Sequence, residues 1–371
     1  MNNKIRILIP DAESGHALFT ARALAETKKI DLFAMARDSK ASLRYSFRKK
    51  CFKRIDTDDN NMLNINSLLK EVDDKKIDLI LPVDEDAHKV ISKNLKIVHS
   101  KVKTSPIAPN EVIEKATNKW KFAKLCEENK IPCPKSVYIE GAELSSKAIE
   151  NLIFPIIVKP ERGHGGNNIK LIKSQDGLKK FFKSKPDLSM GNYIIQEYVK
   201  GYDIDMSLLA KDSKIIAFTI QKGFIKKANE FGAAAGIKFL YNEKLYNSVD
   251  RLIKKLNFSG IAHLDLRYDE NQDEFKVIEI NARYWGSLTG SIKAGVNFPY
   301  LACLAGLGIN FELPQYEHCR YVDFYSVLRR MIKHPFVKDN NKIKYKETDF
   351  KYIILDPIAE IVNYMRRRAA H

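Results

Sequence analysis

The chain has no run of about 18 or more apolar residues, the length a helix needs to cross a bilayer. Met1-Asn2-Asn3-Lys4-Ile5 leads straight into a strand pattern with no apolar leader segment. Neither a spanning helix nor a secretory signal is therefore expected, and the cytoplasm is the expected compartment, with the inner face of the membrane as an alternative. Cysteine is sparse: Cys51, Cys126, Cys133, Cys303 and Cys319 are odd in number and scattered, with no Cys-x-x-Cys pair. Reduced thiols are expected, with neither a disulfide framework nor a zinc cluster. No Gly-Lys-Ser/Thr opens a helix as in a Walker A loop. The segment after the first strand, Ala17 to Arg22, lacks G-x-G-x-x-G, so a nicotinamide site has little support. Internal repeats, low-complexity tracts and an RNP-type RNA motif are also missing from the sequence.

What is present suits a globular enzyme. At 371 residues and 44% hydrophobic, the chain exceeds one ordinary domain and can bury a sizeable core. Sixty-three basic residues against 46 acidic give a net charge of +17, concentrated in two places. Lys40 to Arg54 holds seven Lys/Arg and no acid, with Tyr45, Phe47 and Phe52 interleaved. Near the C-terminus Ile358, Ile361, Val362 and Met365 fall at helical spacing before Arg366-Arg367-Arg368. Such a helix either rests on acidic lipids or docks on its own domain. A solvated basic surface accounts for both stretches equally well, and nucleic acid is not expected as a partner.

The chemistry-bearing residues lie further in. Gly260 to Tyr268 alternates like a strand, and Phe275 to Asn281 reads as a second strand after a turn rich in Asp, Glu, Asn and Gln. A hairpin would set Asp265 near Glu279, and Glu279 and Asn281, two apart, share a face. Two carboxylates and an amide are hard oxygen donors of the kind magnesium takes beside phosphates. Arg283 adds a fork of donors for developing negative charge. Upstream, Phe154 to Pro160 is a short apolar strand carrying Lys159. Glu161 to Asn167 follows as a glycine-rich loop, with Gly163, Gly165 and Gly166 able to bring backbone N–H groups close to phosphates. Tyr193 to Val199 forms another strand before Lys200-Gly201-Tyr202-Asp203, offering a backbone edge to a base and carboxylates to ribose hydroxyls.

In this order, the motifs resemble the ATP-grasp superfamily, and within it the carboxylate-amine ligases related to the carbamoyl-phosphate synthase large subunit and D-alanine ligase. The likeness runs from about residue 5 to 311. It implies an α/β fold: a Rossmann-like pre-ATP-grasp domain at 1–107, then a two-lobed α+β ATP-grasp module. A linker helix and small lid lobe would occupy 108–200, a large catalytic lobe 201–311, and a basic C-terminal extension 312–371. By the same likeness, Lys119 and Lys159 touch the ATP phosphates, and the loop of Gly163, Gly165 and Gly166 closes over them. Gln196, Glu197 and Val199 frame adenine, with Asp203 at the ribose. Asp265, Glu279 and Asn281 ligate two Mg2+ ions, for which Mn2+ is a substitute, and Arg283 stabilises an acyl phosphate. Asn118, Gln196 and Asp203 depart from the family's usual residues, which bears on ATP affinity more than on ATP use.

The function implied is a ligase that activates a carboxylate as an acyl phosphate and joins it to an amine, releasing ADP and phosphate. Its partners are a small-molecule carboxylate and amine, with a homodimer and a peripheral membrane contact through the basic C-terminus as further expectations. Asp84 and Glu85, at a strand end, either orient the amine or cap a helix. Residues 222–236 read as a mobile segment between strands that either passes near substrate or is a plain flexible loop, Trp285 as acyl-site wall or core, and His164 and His263 as loop, core or general-base residues. Two alternatives stay open: a regulatory module that holds ATP without turning it over, and a membrane-surface ligase acting on a cell-envelope saccharide or peptide precursor.

Overall fold

The computed structural model describes residues 4–140, 152–163, 168–184, 192–225, 232, 234–333 and 343–369. Short, buried apolar runs build the first sheet: β1 (Ile5–Ile9), β2 (Ile30–Ala36), β3 (Cys51–Arg54), β4 (Leu79–Ile80) and β5 (Lys103–Thr104). Their order is β3-β2-β1-β4-β5 and every pairing is parallel. Parallel neighbours require crossovers. Helices α1 (Ala17–Glu26), α2 (Ile65–Lys75), α3 (Glu85–Lys93) and α4 (Leu95–His99) lie between the strands in sequence. Caps fix two of the starts: Asn64 accepts from the N–H of Ser67, and Asp84 from that of Glu85.

The stretch Ala108 to Asn129 reads as one helix in the sequence but forms two, α5 (Asn110–Thr117) and α6 (Lys119–Glu128). Asn118 is the reason. Its backbone is extended, and its Oδ1 accepts from the N–H of Lys121 at 2.9 Å, so the residue that ends α5 caps α6. Lys119 thereby opens a helix instead of lying within one.

A second, antiparallel sheet follows: β6 (Ser136–Ile139), β7 (Ile156–Pro160), β8 (Lys170–Ile172) and β9 (Tyr193–Glu197), in the order β6-β9-β7-β8. Leu178 and Phe182 of α7 (Gln175–Lys183) pack against Ile156, Val158 and Ile195 to give this lobe its own small core.

The third sheet is larger. It comprises β10 (Gly201–Lys211), β11 (Lys214–Ile225), β12 (Gly236–Leu240), β13 (Gly260–Asp269), β14 (Glu274–Asn281) and β15 (Arg320–Val322), in the order β14-β13-β10-β11-β12-β15. One face carries α8 (Glu243–Leu256), whose Leu245, Val249, Leu252 and Leu256 enter the core at helical spacing. The helices α9 (Leu288–Lys293) and α10 (Phe298–Leu307) follow β14. Leu209, Ile261, Trp285 and Phe298 share one core with Ile7 and Leu18 of the first domain. That shared core locks the strand ends of the parallel sheet against the end of the β13–β14 hairpin.

After residue 311, in the stretch expected as a basic C-terminal extension, β15 pairs with β12, burying Tyr321 and Val322 as the sixth strand of the large sheet. The chain then returns to the first domain through α11 (Phe324–Lys333), α12 (Phe350–Leu355) and α13 (Pro357–Ala369). Within 222–236 the strands claim more than the sequence suggests, since Lys222 pairs with Lys238 and Ile225 with Gly236; Lys226, Lys227, Glu230 and Ala233 lie outside the described residues.

Gly201 is required where β10 meets β13. Its φ is +148°, and a Cβ there would stand 1.9 Å from the carbonyl oxygen of Tyr268. A Gly201→Ala substitution has to push the two strands apart, at a cost of about 1–3 kcal/mol. A lowered thermal midpoint in calorimetry is the expected outcome.

Candidate active site

Strand register assembles the acidic centre. On the β13–β14 hairpin Asp265 is paired with Glu279 and His263 with Asn281, with a bulge just after Asp265. On its other side β13 pairs with β10, which sets Asp205 across from Asp265. Asp205, His263 and Asp265 each offer a ligand atom within 4.8 Å of the others, a grouping to which the local sequence gave no clue for Asp205.

Two lysines face this centre from other elements. Lys119, at the start of α6, has its Nζ 3.5 Å from Glu279 Oε2 and donates to the carbonyl of Gly163. Gly163 has φ +124°, a conformation that suits glycine and turns this carbonyl towards the lysine. The backbone N–H of Lys119 also bonds to the carbonyl of Glu161 (3.3 Å), and Asn118 Nδ2 bonds to the Glu161 carboxylate (2.9 Å). The linker helix, the end of β7 and the start of the glycine loop are thus tied together. Gly165 and Gly166, with His164, lie outside the described residues. Lys159 is buried on β7, where its Nζ donates to Gln196 Oε1 at 2.9 Å, and Gln196 Nε2 donates to Ser136 Oγ at 3.0 Å.

The electrostatics follow from burial and these neighbours. Desolvation brings the Lys159 ammonium down to about 8, with Glu279 opposing the shift and Lys119 adding to it. Burial works to raise Glu279, but Lys119 and Lys159 together hold its carboxyl below the usual range. Asp265 goes the other way, well above the usual range, because it is desolvated and sits beside Glu279 and Asp205. Asp205 is raised to about 8 by burial and by Asp203. The strand register brings the Asp265 and Glu279 carboxyls together beside Asn281, and such hard oxygen donors fit magnesium.

His263 is half-buried at the edge of the site. Desolvation, then Arg283, brings it down to about 3, so it is neutral near pH 7. Its Nδ1 is 2.9 Å from Ser207 Oγ, its Nε2 is 3.3 Å from Asp265 Oδ1, and its ring stacks on buried Trp285 with centroids 5.6 Å apart. Trp285 is core, packed edge-on to Phe298.

Arg283 sits where the two domains meet. It donates to Asn281 Oδ1 (3.1 Å), the Tyr284 carbonyl (3.1 Å) and His16 Nε2 (3.1 Å). Its Nε lies 3.9 Å from Asp84 and 4.0 Å from Glu85. Asp84 therefore both caps α3 and faces the guanidinium. Beneath it, the Asp11 carboxylate accepts from the N–H groups of Val83 and Asp84, which fixes the strand-end turn. A cavity of about 210 Å³ opens here, lined by Glu85, Lys89, Lys119, Gly163, Glu279 and Asn281.

The residues expected around the base and ribose are engaged differently. Glu197 accepts from buried Lys276 at 2.5 Å, and Lys276 also pairs with Asp269 at 3.0 Å. Asp203 is paired with Arg267, whose Nε donates to the Val199 carbonyl at 2.6 Å. Gln196 holds Lys159. Sequence reading missed Lys276 and Arg267. The one signal was a lysine among the apolar residues of β14, since a charge inside a strand usually has a partner.

Residues 116–287, just under half of the chain, match the family model described as ATP-grasp domain. The chain is 25% identical over 201 residues to a D-aspartate ligase of Enterococcus faecium, covering 48% of this chain and 47% of that protein. The chain thus spans about half the length of that relative. Among solved structures, N5-carboxyaminoimidazole synthetase from Staphylococcus aureus complexed with ADP superimposes with a TM-score of 0.63 at 18% identity, over 85% of this chain and 80% of that one. L-amino acid ligase from Bacillus licheniformis gives 0.61 at 17%, over 82% and 74%.

Proposed function

We propose that the chain is an ATP- and magnesium-dependent ligase that converts a carboxylate to an acyl phosphate and then to an amide, releasing ADP and phosphate. The observation that supports it most is the convergence of Lys119 and Lys159 on Glu279, opposite Asp265, with Arg283 at the same hairpin end facing Asp84 and Glu85. Lys119, Lys159 and the glycine loop hold the phosphates. The β9 end from Gln196 to Val199 frames adenine, and Asp203 exchanges Arg267 for the ribose. Asp265, Glu279 and Asn281 would hold two magnesium ions, which would neutralise phosphate charge and favour attack at the terminal phosphorus. A substrate carboxylate oxygen attacks that phosphorus and ADP leaves. The amine then attacks the acyl carbon, loses a proton, and phosphate departs. Arg283 steadies the charge that develops on the acyl group, while Asp84 and Glu85 orient the amine. The activities named for the relatives favour an amino acid as one of the two substrates.

The test is ADP release over a panel of carboxylates with amino acids as amines. Release that needs both substrates supports the ligase. Calorimetric ATP binding with no ADP formed anywhere in the panel assigns the chain instead to a regulatory module that holds ATP.

Lys159 adds a pH prediction. Its ammonium loses its proton as pH rises through about 8, and the phosphate contact needs the charged form. In the free enzyme, kcat/KM for ATP is expected to fall above that pH. Lys159→Ala should lower the plateau and lose this limb, as a pH-rate series would show.

A further inference from the structure

The C-terminal helix α13 is packed with its polar side inwards. Glu360 makes a buried ion pair with Arg22 of α1 (2.6 Å), and Ala359 and Asn363 are buried with it. At Asp356, just before α13, the carboxylate accepts from Ser46 Oγ (2.5 Å) and the N–H of Phe47 (3.2 Å). Tyr364 stacks on Tyr325 of α11. These contacts leave the apolar stripe facing out: Ile358 is 50%, Ile361 57% and Met365 65% exposed, at helical spacing, and Phe47 on the adjoining turn is 72% exposed.

Cations predominate beside this stripe. The 3-10 helix Ser42–Tyr45 and the turn that follows it carry Arg44, Arg48 and Lys49, within the acid-free stretch Lys40 to Arg54. The nearby acids are all engaged: Glu26 with Tyr352 and Lys351, Asp38 with Arg366, Asp356 with Ser46, and Glu360 with Arg22. An isologous contact between two copies would set these cations against one another, which disfavours a second copy as the occupant. An apolar stripe on a surface helix, bordered by cations, is the pattern that beds into the interface of an anionic bilayer.

We infer that α13 and the Ser46–Arg48 turn form one docking surface for an anionic lipid membrane, with Phe47, Ile358, Ile361 and Met365 entering the interface and Arg44 and Arg48 meeting lipid phosphates. This surface stands on observations separate from the ligase site and holds whichever substrates that site takes. Attachment through an amphipathic surface helix is peripheral and reversible; among the described residues no helix is long and apolar enough to cross a membrane. It would concentrate the enzyme at the membrane without inserting it.

The test is co-sedimentation of the full chain with vesicles of one part phosphatidylglycerol to two parts phosphatidylcholine, against pure phosphatidylcholine. Binding to the anionic vesicles is expected to be at least about tenfold tighter. Ile361→Asp, at an exposed position, should weaken it by about tenfold or more, and Arg44→Gln with Arg48→Gln should remove most of the preference for anionic lipid. Unchanged thermal midpoints would show that these variants fold. Wild-type protein that ignores both vesicles, or Ile361→Asp that binds like wild type, overturns the proposal. So does lipid-free self-association in sedimentation velocity that Ile361→Asp abolishes, which would give the face to a second copy.

Discussion

Glu279→Gln is expected to reduce amine-dependent ADP release by about 10³-fold or more, near 4 kcal/mol in the activation barrier. Glutamine keeps the size and one acceptor of the side chain but removes the charge that faces Lys119 and Lys159. Two cations are then left over a site with one fewer anionic ligand, and magnesium loses a carboxylate. Burial and the like charges of Glu279 and Asp205 hold Asp265 high, so its carboxyl should fall towards the ordinary range once Glu279 is neutral. The fold should persist, because glutamine keeps the size of the side chain and an acceptor for the Asp265 carboxyl. ADP release at saturating substrates checks the first point and a thermal melt the second. Full turnover in this variant would remove Glu279 from the metal site.

Arg283→Ala is the second large effect, with a different signature. The guanidinium bonds to Asn281, Tyr284 and His16 and faces Asp84 and Glu85, all at the domain junction. If it acts on the acyl group, kcat should fall by about 10²–10³-fold while ATP affinity changes little. Arg283→Lys should restore only a small part, because an ammonium cannot reproduce a planar fork reaching several acceptors. Calorimetric ATP affinity beside steady-state kcat separates the cases. An equal loss in both would place Arg283 on the nucleotide.

Much of this was legible from local pattern. Alternation and a polar turn gave the β13–β14 hairpin, and with it the opposition of Asp265 and Glu279. A short apolar strand carrying a lysine gave β7 and Lys159. What local pattern could not give was register between distant strands. Asp205 meets Asp265 only because β10 pairs with β13 across two intervening strands and a helix, and Glu197 meets Lys276 only through tertiary packing. For the same reason Glu197 and Asp203 read as open carboxylates, although Lys276 and Arg267 engage them. The break at Asn118 was hidden because the apolar periodicity runs through it, and only the cap reveals two helices. At the C-terminus the period of 358, 361 and 365 predicted a stripe but not its direction. A buried Arg22 on α1 draws Glu360 inwards, and the apolar side faces solvent.

The central claim is that a carboxylate oxygen attacks the terminal phosphate of ATP. It is tested most directly by labelling the carboxylate that supports turnover with heavy oxygen and analysing the released phosphate by mass spectrometry. The acyl phosphate route predicts that one labelled oxygen passes from the carboxylate to the phosphate for each amide formed. Amide formation with wholly unlabelled phosphate would contradict it.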